Sequence, residues 1–137
     1  MPALDKCHPI MVRALQNDHW WPESKSPRLS VEDRTVIIDI RARRDDNGTN
    51  QQILMVEVKC FPDEDTITTE TYTALGQYIV YRGMLEALGD TTPLYLAVPE
   101  SICQTVFDIV IMKIVRDYQI KIIVVSLEQE KIVQWIE

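Results

Sequence analysis

Two β-branched runs separated by a turn signal constrain this chain more than any other feature. Arg34-Thr-Val-Ile-Ile-Asp-Ile-Arg-Ala-Arg43 and Gln52-Ile-Leu-Met-Val-Glu-Val-Lys-Cys-Phe61 have the residue types and length of strands. Asp45-Asp46-Asn47-Gly48 between them is a strong turn sequence, so the pair is predicted to be an antiparallel hairpin. Both runs carry charge where apolar residues are expected: Asp39 in the first, Glu57 and Lys59 in the second. A carboxylate inside an apolar strand is costly to bury unless it is paired or bound to a metal.

Side chains alternate along a strand, so Glu57 and Lys59 share one face and Val56, Val58 and Cys60 the other. A ladder roughly symmetric about Asn47–Gly48 sets Asp39 across from Glu57, with Arg41 and Arg43 nearer the turn on the same face. Opposed residues have Cβ atoms about 5 Å apart, and one divalent cation can bridge two carboxylates at that distance. A slip of one residue would put Asp39 on the wrong face.

The rest of the chain supplies helices and further strands. Residues 4–18 have helical spacing of Leu4, Cys7 or His8, Met11, Val12 and Leu15. Trp20-Trp21-Pro22 ends that helix and starts an extended piece, with both Trp expected in core or capping roles. Leu29-Ser30-Val31 is a short strand. A helix is predicted over 68–88, with Leu75, Tyr78, Ile79, Leu85 and Leu88 on or near one face and Gly89-Asp90 as its stop. Pro93–Val98 is a strand, a broken helix runs from Pro99 to about Tyr118, and Ile120–Val125 and Lys131–Ile136 are strands. The order implies an α/β domain with a mixed sheet flanked by helices.

Composition narrows the classes. One domain spanning residues 1–137 is the expectation for 137 residues with 46% hydrophobic and 26% charged content. No apolar run approaches the roughly 20 residues that span a bilayer, so no membrane association is expected. The start lacks the order of a signal peptide. Cys7, Cys60 and Cys103 are an odd number without Cys-x-x-Cys, and are expected to be free thiols in a reducing cytoplasm. The net charge of -7 argues against nucleic acid being held by the overall field. Arg28, Arg34, Arg41, Arg43 and Arg44 cluster in one stretch, either a solvated strand face or a local phosphate-binding patch, whereas Asp63-Glu64-Asp65 is acidic. Phosphate-binding loops, dinucleotide fingerprints, zinc-protease signatures and nucleophile elbows are absent. His8 and His19 have no Cys neighbours at zinc-finger spacing.

Asp39 with Glu57-Val58-Lys59 is chemically coherent for phosphodiester hydrolysis. Carboxylate oxygens suit Mg²⁺ or Mn²⁺, which keeps waters and takes a phosphate oxygen. Lys59 can hold the attacking water and offset developing negative charge. The plain alternative is a buried Asp–Lys–Glu ion cluster without metal. Gln77 and Tyr81 stand one turn apart on one face of the following helix.

Asp39, Glu57-Val58-Lys59 and Gln77-x-x-x-Tyr81, in this order, resemble the PD-(D/E)xK restriction-endonuclease-like superfamily, particularly its RecB-like variant. The opening with Asp5 and His8, Val56-Glu57-Val58-Lys59-Cys60-Phe61, Ala74-Leu75-Gly76-Gln77-Tyr78, Leu94-Tyr95-Leu96-Ala97-Val98-Pro99 and Ile132-Val133-Gln134-Trp135-Ile136 are similar to the XisH family. These are factors that control excision of the cyanobacterial fdxN element. The resemblance implies a helix, a three-stranded antiparallel meander, a helix and a further strand. It also implies Asp39, Glu57 and the Val58 carbonyl as metal ligands, Lys59 as the residue that orients water, and Gln77, Tyr81, Arg41 and Arg43 in supporting or nucleic-acid contacts. Its implied partners are a XisI-like protein, a site-specific recombinase and DNA. DNA binding by the chain alone is expected to be weak, with specificity arising in a complex or a homodimer. Cys60 stands where the family more usually has Ser. The implied activities are an endonuclease-type metal site serving DNA excision or, alternatively, a non-catalytic interaction module on the same fold.

Overall fold

The computed structural model describes residues 6–46 and 50–137, so the hairpin turn at Asn47–Gly48 and Asp5 lie outside the described residues. Helix α1 (His8–Asn17) starts at a Pro, whose fixed φ suits a first helical turn. Met11, Ala14 and Leu15 are its buried stripe. Short strand β1 (Trp21–Pro22) follows, then β2 (Arg28–Val31), β3 (Arg34–Ile37), β4 (Ile40–Asp46) and β5 (Asn50–Val58).

The expected continuous strand over 34–43 is broken. β2 and β3 form a separate two-stranded sheet, and the chain bends at Ile38–Asp39 before β4 enters the main sheet. The bend is held from outside the hairpin. The Ile38 amide donates to the Pro27 carbonyl at 2.9 Å, and Ser26 Oγ donates to the Asp39 carbonyl at 2.7 Å. The middle strand of the expected meander is therefore two strands that serve two sheets.

β4 and β5 pair antiparallel in the expected register, with Ile40 opposite Val56 and Ala42 opposite Leu54. A single 3₁₀ turn at Glu64–Thr66 leads into α2 (Ile67–Ala87). The acidic run has a local role there. Asp63 Oδ1 accepts from the Asp65 amide at 3.0 Å, and acidic groups before a helix complement its N-terminal dipole. Gly89 ends the segment at φ +69°, a conformation that costs glycine nothing.

Strand β6 (Leu94–Pro99), helices α3 (Glu100–Thr105) and α4 (Ile109–Asp117), and strands β7 (Ile122–Ser126) and β8 (Lys131–Ile136) complete the chain. Asp108 accepts from the Val110 and Ile111 amides and so starts α4 after the break in this helical segment. The main sheet has the order β1-β4-β5-β6-β7-β8, parallel at β5–β6 and β6–β7 and antiparallel elsewhere. This is the mixed, helix-flanked α/β sheet expected.

Core residues cover both faces of the sheet. On one face Ile38, Met55, Leu96 and Ile122 pack with Ala74, Tyr78 and Leu85 of α2. On the other, Leu54, Val56, Tyr95 and Ile123 pack with Met11, Ala14 and Leu15 of α1. Tyr78 ties the layers: its hydroxyl donates to the Leu94 carbonyl at 2.7 Å and accepts from the Lys121 amide at 3.2 Å.

Three expectations fail here. Trp21 is 56% exposed, whereas Trp20 is buried. Ile79 and Leu88 are exposed rather than on the packed face of α2. Cys7 and Cys60 are not free thiols but are joined in a disulfide, with Cα atoms 5.8 Å apart. The start of α1 lies against the chain leaving β5, which brings the two sulfurs together, and an odd count leaves room for one bridge beside the free Cys103.

Candidate functional site

The site grows from the bend before β4. Extending the β4–β5 ladder by one position sets Asp39 across from Glu57, and the side chains take over the backbone pairing there. The Asp39 amide donates to Glu57 Oε1 at 3.3 Å, and the Val58 amide donates to Asp39 Oδ2 at 2.8 Å. A regular ladder would have sealed this point with carbonyls; the bend substitutes two carboxylates.

Glu57 is the only charged residue buried among the described residues, at 6% exposure. It lies two residues from Met55 of the α2-facing core, so it points to the same α2 side of the sheet. Burial raises its pKa from 4.5 to about 8; the Asp39 charge and a side-chain hydrogen bond to Asp39 add to the rise, and Lys59 opposes it. At neutral pH Glu57 therefore tends to hold its proton.

Lys59 lies just beyond the end of β5, not within the strand. Its amide donates to the Ala97 carbonyl at 3.0 Å, which continues the parallel pairing with β6 and holds its side chain on the Glu57 side. Tyr81 of α2 reaches the same place. Burial raises its phenol pKa, followed by the nearby charges of Glu57 and Asp39.

Gln77, one turn earlier, has a buried amide oxygen without a hydrogen-bond partner. So does Glu70, whose Oε2 is buried and unpartnered. Glu70 stands seven residues before Gln77, on the same helix face, and is not among the charges that act on Glu57.

The two arginines expected in supporting or nucleic-acid contacts differ in their surroundings. Arg41 is ion-paired with Glu23, and its charge also lowers the pKa of Asp90, behind the hydrogen bonds from Thr92. Arg43 lies opposite Trp21 on β4 and is exposed. Arg44 pairs with Asp18 and lies over the Trp20 ring. The arginine stretch is thus partly internal structure, not one continuous cationic face.

Whether this donor set fits Mg²⁺ or Mn²⁺ can be judged from its chemistry. Among the described residues no three His, Cys, Asp or Glu side chains converge. The opposed Asp39 and Glu57 carboxyls, with the Val58 carbonyl, still form an oxygen-only set. Mg²⁺ is commonly bound by one or two carboxylates and keeps several waters. The residues fit such an ion.

The comparisons with known proteins extend over nearly the whole chain. The family model described as XisH protein matches residues 1–133. The crystal structure of an XisH family protein from Nostoc punctiforme PCC 73102 is 33% identical, with a TM-score of 0.86 over 97% of this chain and 100% of that one. An fdxN element excision controlling factor protein from Anabaena variabilis is 35% identical, with a TM-score of 0.82 over 95% of this chain and 97% of that one. No curated protein matches. With sequence and backbone both matched along nearly its whole length, the chain belongs to the XisH family.

Proposed function

We propose that this protein serves DNA excision through a nuclease-type divalent-metal site built on Asp39, Glu57 and Lys59. The family supports a role in control of element excision. The observation that supports the metal site is the opposition of half-buried Asp39 to buried Glu57, which holds its proton. No ion-pairing partner compensates Glu57 fully, and a cation would replace that proton.

In this reading Asp39, Glu57 and the Val58 carbonyl hold Mg²⁺ or Mn²⁺. The ion, when bound, screens phosphate charge and makes a bound water more acidic. Lys59 orients the attacking water and offsets charge as it develops on phosphate. Tyr81 and Gln77 support the carboxylates from α2. The fold is then that of the restriction-endonuclease-like superfamily. DNA contact comes from exposed Arg28, Arg34 and Arg43 and is weak and salt-dependent. Specificity arises with a XisI-like protein and the recombinase.

The decisive experiment combines metal binding with DNA nicking. Millimolar Mn²⁺ or Mg²⁺ should raise the melting temperature of the wild type and not that of Asp39→Ala. Supercoiled plasmid should be nicked only with metal. Equal melting shifts in both proteins would reject the site. Specific binding without nicking would favour the reading as a non-catalytic module.

A further inference from the structure

The Asp39 carboxylate reaches the candidate site because the chain leaves the β4–β5 ladder just before it. On β5 the amides of Met55 and Lys59 are turned to β6, where they donate to the carbonyls of Pro93 and Ala97. Those of the alternate residues, Val56 and Val58, are therefore turned to β4. Ile40 stands opposite Val56, so in a regular ladder the Val58 amide would meet the Ile38 carbonyl. It donates to Asp39 Oδ2 instead, at 2.8 Å.

Two contacts from the segment before β2 hold the chain in that position. The Ile38 amide donates to the Pro27 carbonyl at 2.9 Å, and Ser26 Oγ donates to the Asp39 carbonyl at 2.7 Å. The first uses a backbone carbonyl, which any residue at position 27 would offer. The second needs a hydroxyl.

We propose that Ser26 is a positioning residue of the Asp39–Glu57 site, whose hydroxyl fixes the Asp39 backbone at the bend and so aims its carboxylate across Glu57. This role rests on the metal site proposed above and names one residue that builds it.

Ser26 is a fixed post because its own segment is held on both sides. Before it, Trp21 and Pro22 pair with β4, and the Glu23 amide donates to the Arg41 carbonyl at 2.7 Å. The Glu23–Arg41 ion pair fastens the same point. After it, the Pro27 ring fixes φ at position 27 and, as the next residue, restricts Ser26 to extended backbone. A hydroxyl on such a post leaves the Asp39 carbonyl little freedom.

The Ser26–Asp39 contact is exposed, so without the hydroxyl water satisfies the carbonyl and no buried group is orphaned. The fold then survives while Asp39 gains freedom. Partners that hold a metal ligand in place commonly tune affinity by roughly tenfold or more.

Ser26→Ala tests this role, and Ser26→Thr, which keeps a hydroxyl, controls it. In metal-free protein, hydrogen exchange followed by NMR should show the Val58 amide exchanging several-fold faster in Ser26→Ala. The Lys59 amide, held by Ala97, should exchange at its wild-type rate. Calorimetric titration should show Mn²⁺ binding weakened several-fold, with the melting temperature within a few degrees of wild type. Ser26→Thr should return both measurements to wild-type values. An unchanged Val58 exchange rate or an unchanged Mn²⁺ affinity in Ser26→Ala overturns the proposal, as does a loss that Ser26→Thr does not recover. Wild-type protein that binds no Mn²⁺ rejects the metal site and this role with it. Equal Mn²⁺ binding by wild type and Ser26→Ala rejects the role of Ser26 alone.

Discussion

Asp39 and Glu57 face each other across the end of the β4–β5 ladder, with the Asp39 amide donating to Glu57 Oε1 at 3.3 Å. The contact puts two acids where backbone pairing would otherwise continue. Much of the protein's expected behaviour follows from how that pair is charged.

The first prediction concerns pH. Glu57 has its pKa raised from 4.5 to about 8 in the fold, so the folded state holds a proton that the unfolded chain releases. Its contribution to stability is full below about pH 4.5 and is lost as pH rises towards 8. The melting temperature of metal-free protein should fall across this window, and Glu57→Gln should flatten that slope. Metal binding must displace the proton, so Mn²⁺ affinity should rise with pH up to about 8 and level off above. Calorimetric titration at several pH values measures this; pH-independent affinity would exclude Glu57 as a ligand.

Lys59→Met separates two roles. The change keeps much of the aliphatic stem and removes the ammonium. If Lys59 orients water, folding and metal binding survive and metal-dependent nicking is lost. If Lys59 mainly compensates the acids, the substitution costs on the order of 3–5 kcal/mol, seen as a lowered denaturation midpoint. A well-folded variant that still cuts DNA removes Lys59 from the reaction.

Gln77 offers a test in the opposite direction. Its buried amide oxygen lacks a partner in the protein. A buried polar group left unsatisfied costs about 1–3 kcal/mol. Gln77→Leu should therefore stabilise the metal-free protein while reducing metal-dependent activity. Urea denaturation and plasmid nicking report the two effects, and a destabilised variant would mean that the amide is already satisfied.

The Cys7–Cys60 bridge closes a segment of 53 residues. Chain-entropy arguments assign such a loop about 4 kcal/mol. Cys7→Ser, or reduction of the wild type, should lower the melting temperature by roughly 10 °C, given about 2–4 °C per kcal/mol in domains of this size. Mass spectrometry of the unreduced protein after alkylation should show one modified cysteine, Cys103. Three modified cysteines would show that the bridge does not form.

The hairpin and its carboxylate pair were legible because they rest on local rules. Alternation places Glu57 and Lys59 together, and turn chemistry sets Asp39 against Glu57. The bend at Ile38–Asp39 was not legible, because Pro27 and Ser26 hold it from another sheet. The bridge between Cys7 and Cys60 depends on how α1 docks, which periodicity does not report. The phase of α2 misled for a physical reason. Its residues are apolar on both the core and solvent sides, so Ile79 looked like Tyr78.

The carboxylate pair also bears on the order of assembly. Its contacts span 18 and 19 residues, whereas the hydrogen bonds that seat α2 through Tyr78 span 16 to Leu94 and 43 to Lys121. Short loops close at lower entropic cost, so the hairpin is expected to form before α2 is fully seated. The two acids then meet while water still reaches Glu57, which can remain ionised. Docking of α2 removes that water and raises the pKa of Glu57. At neutral pH the late step of folding therefore takes up a proton, and in buffers near pH 7 its rate should carry the signature of that uptake.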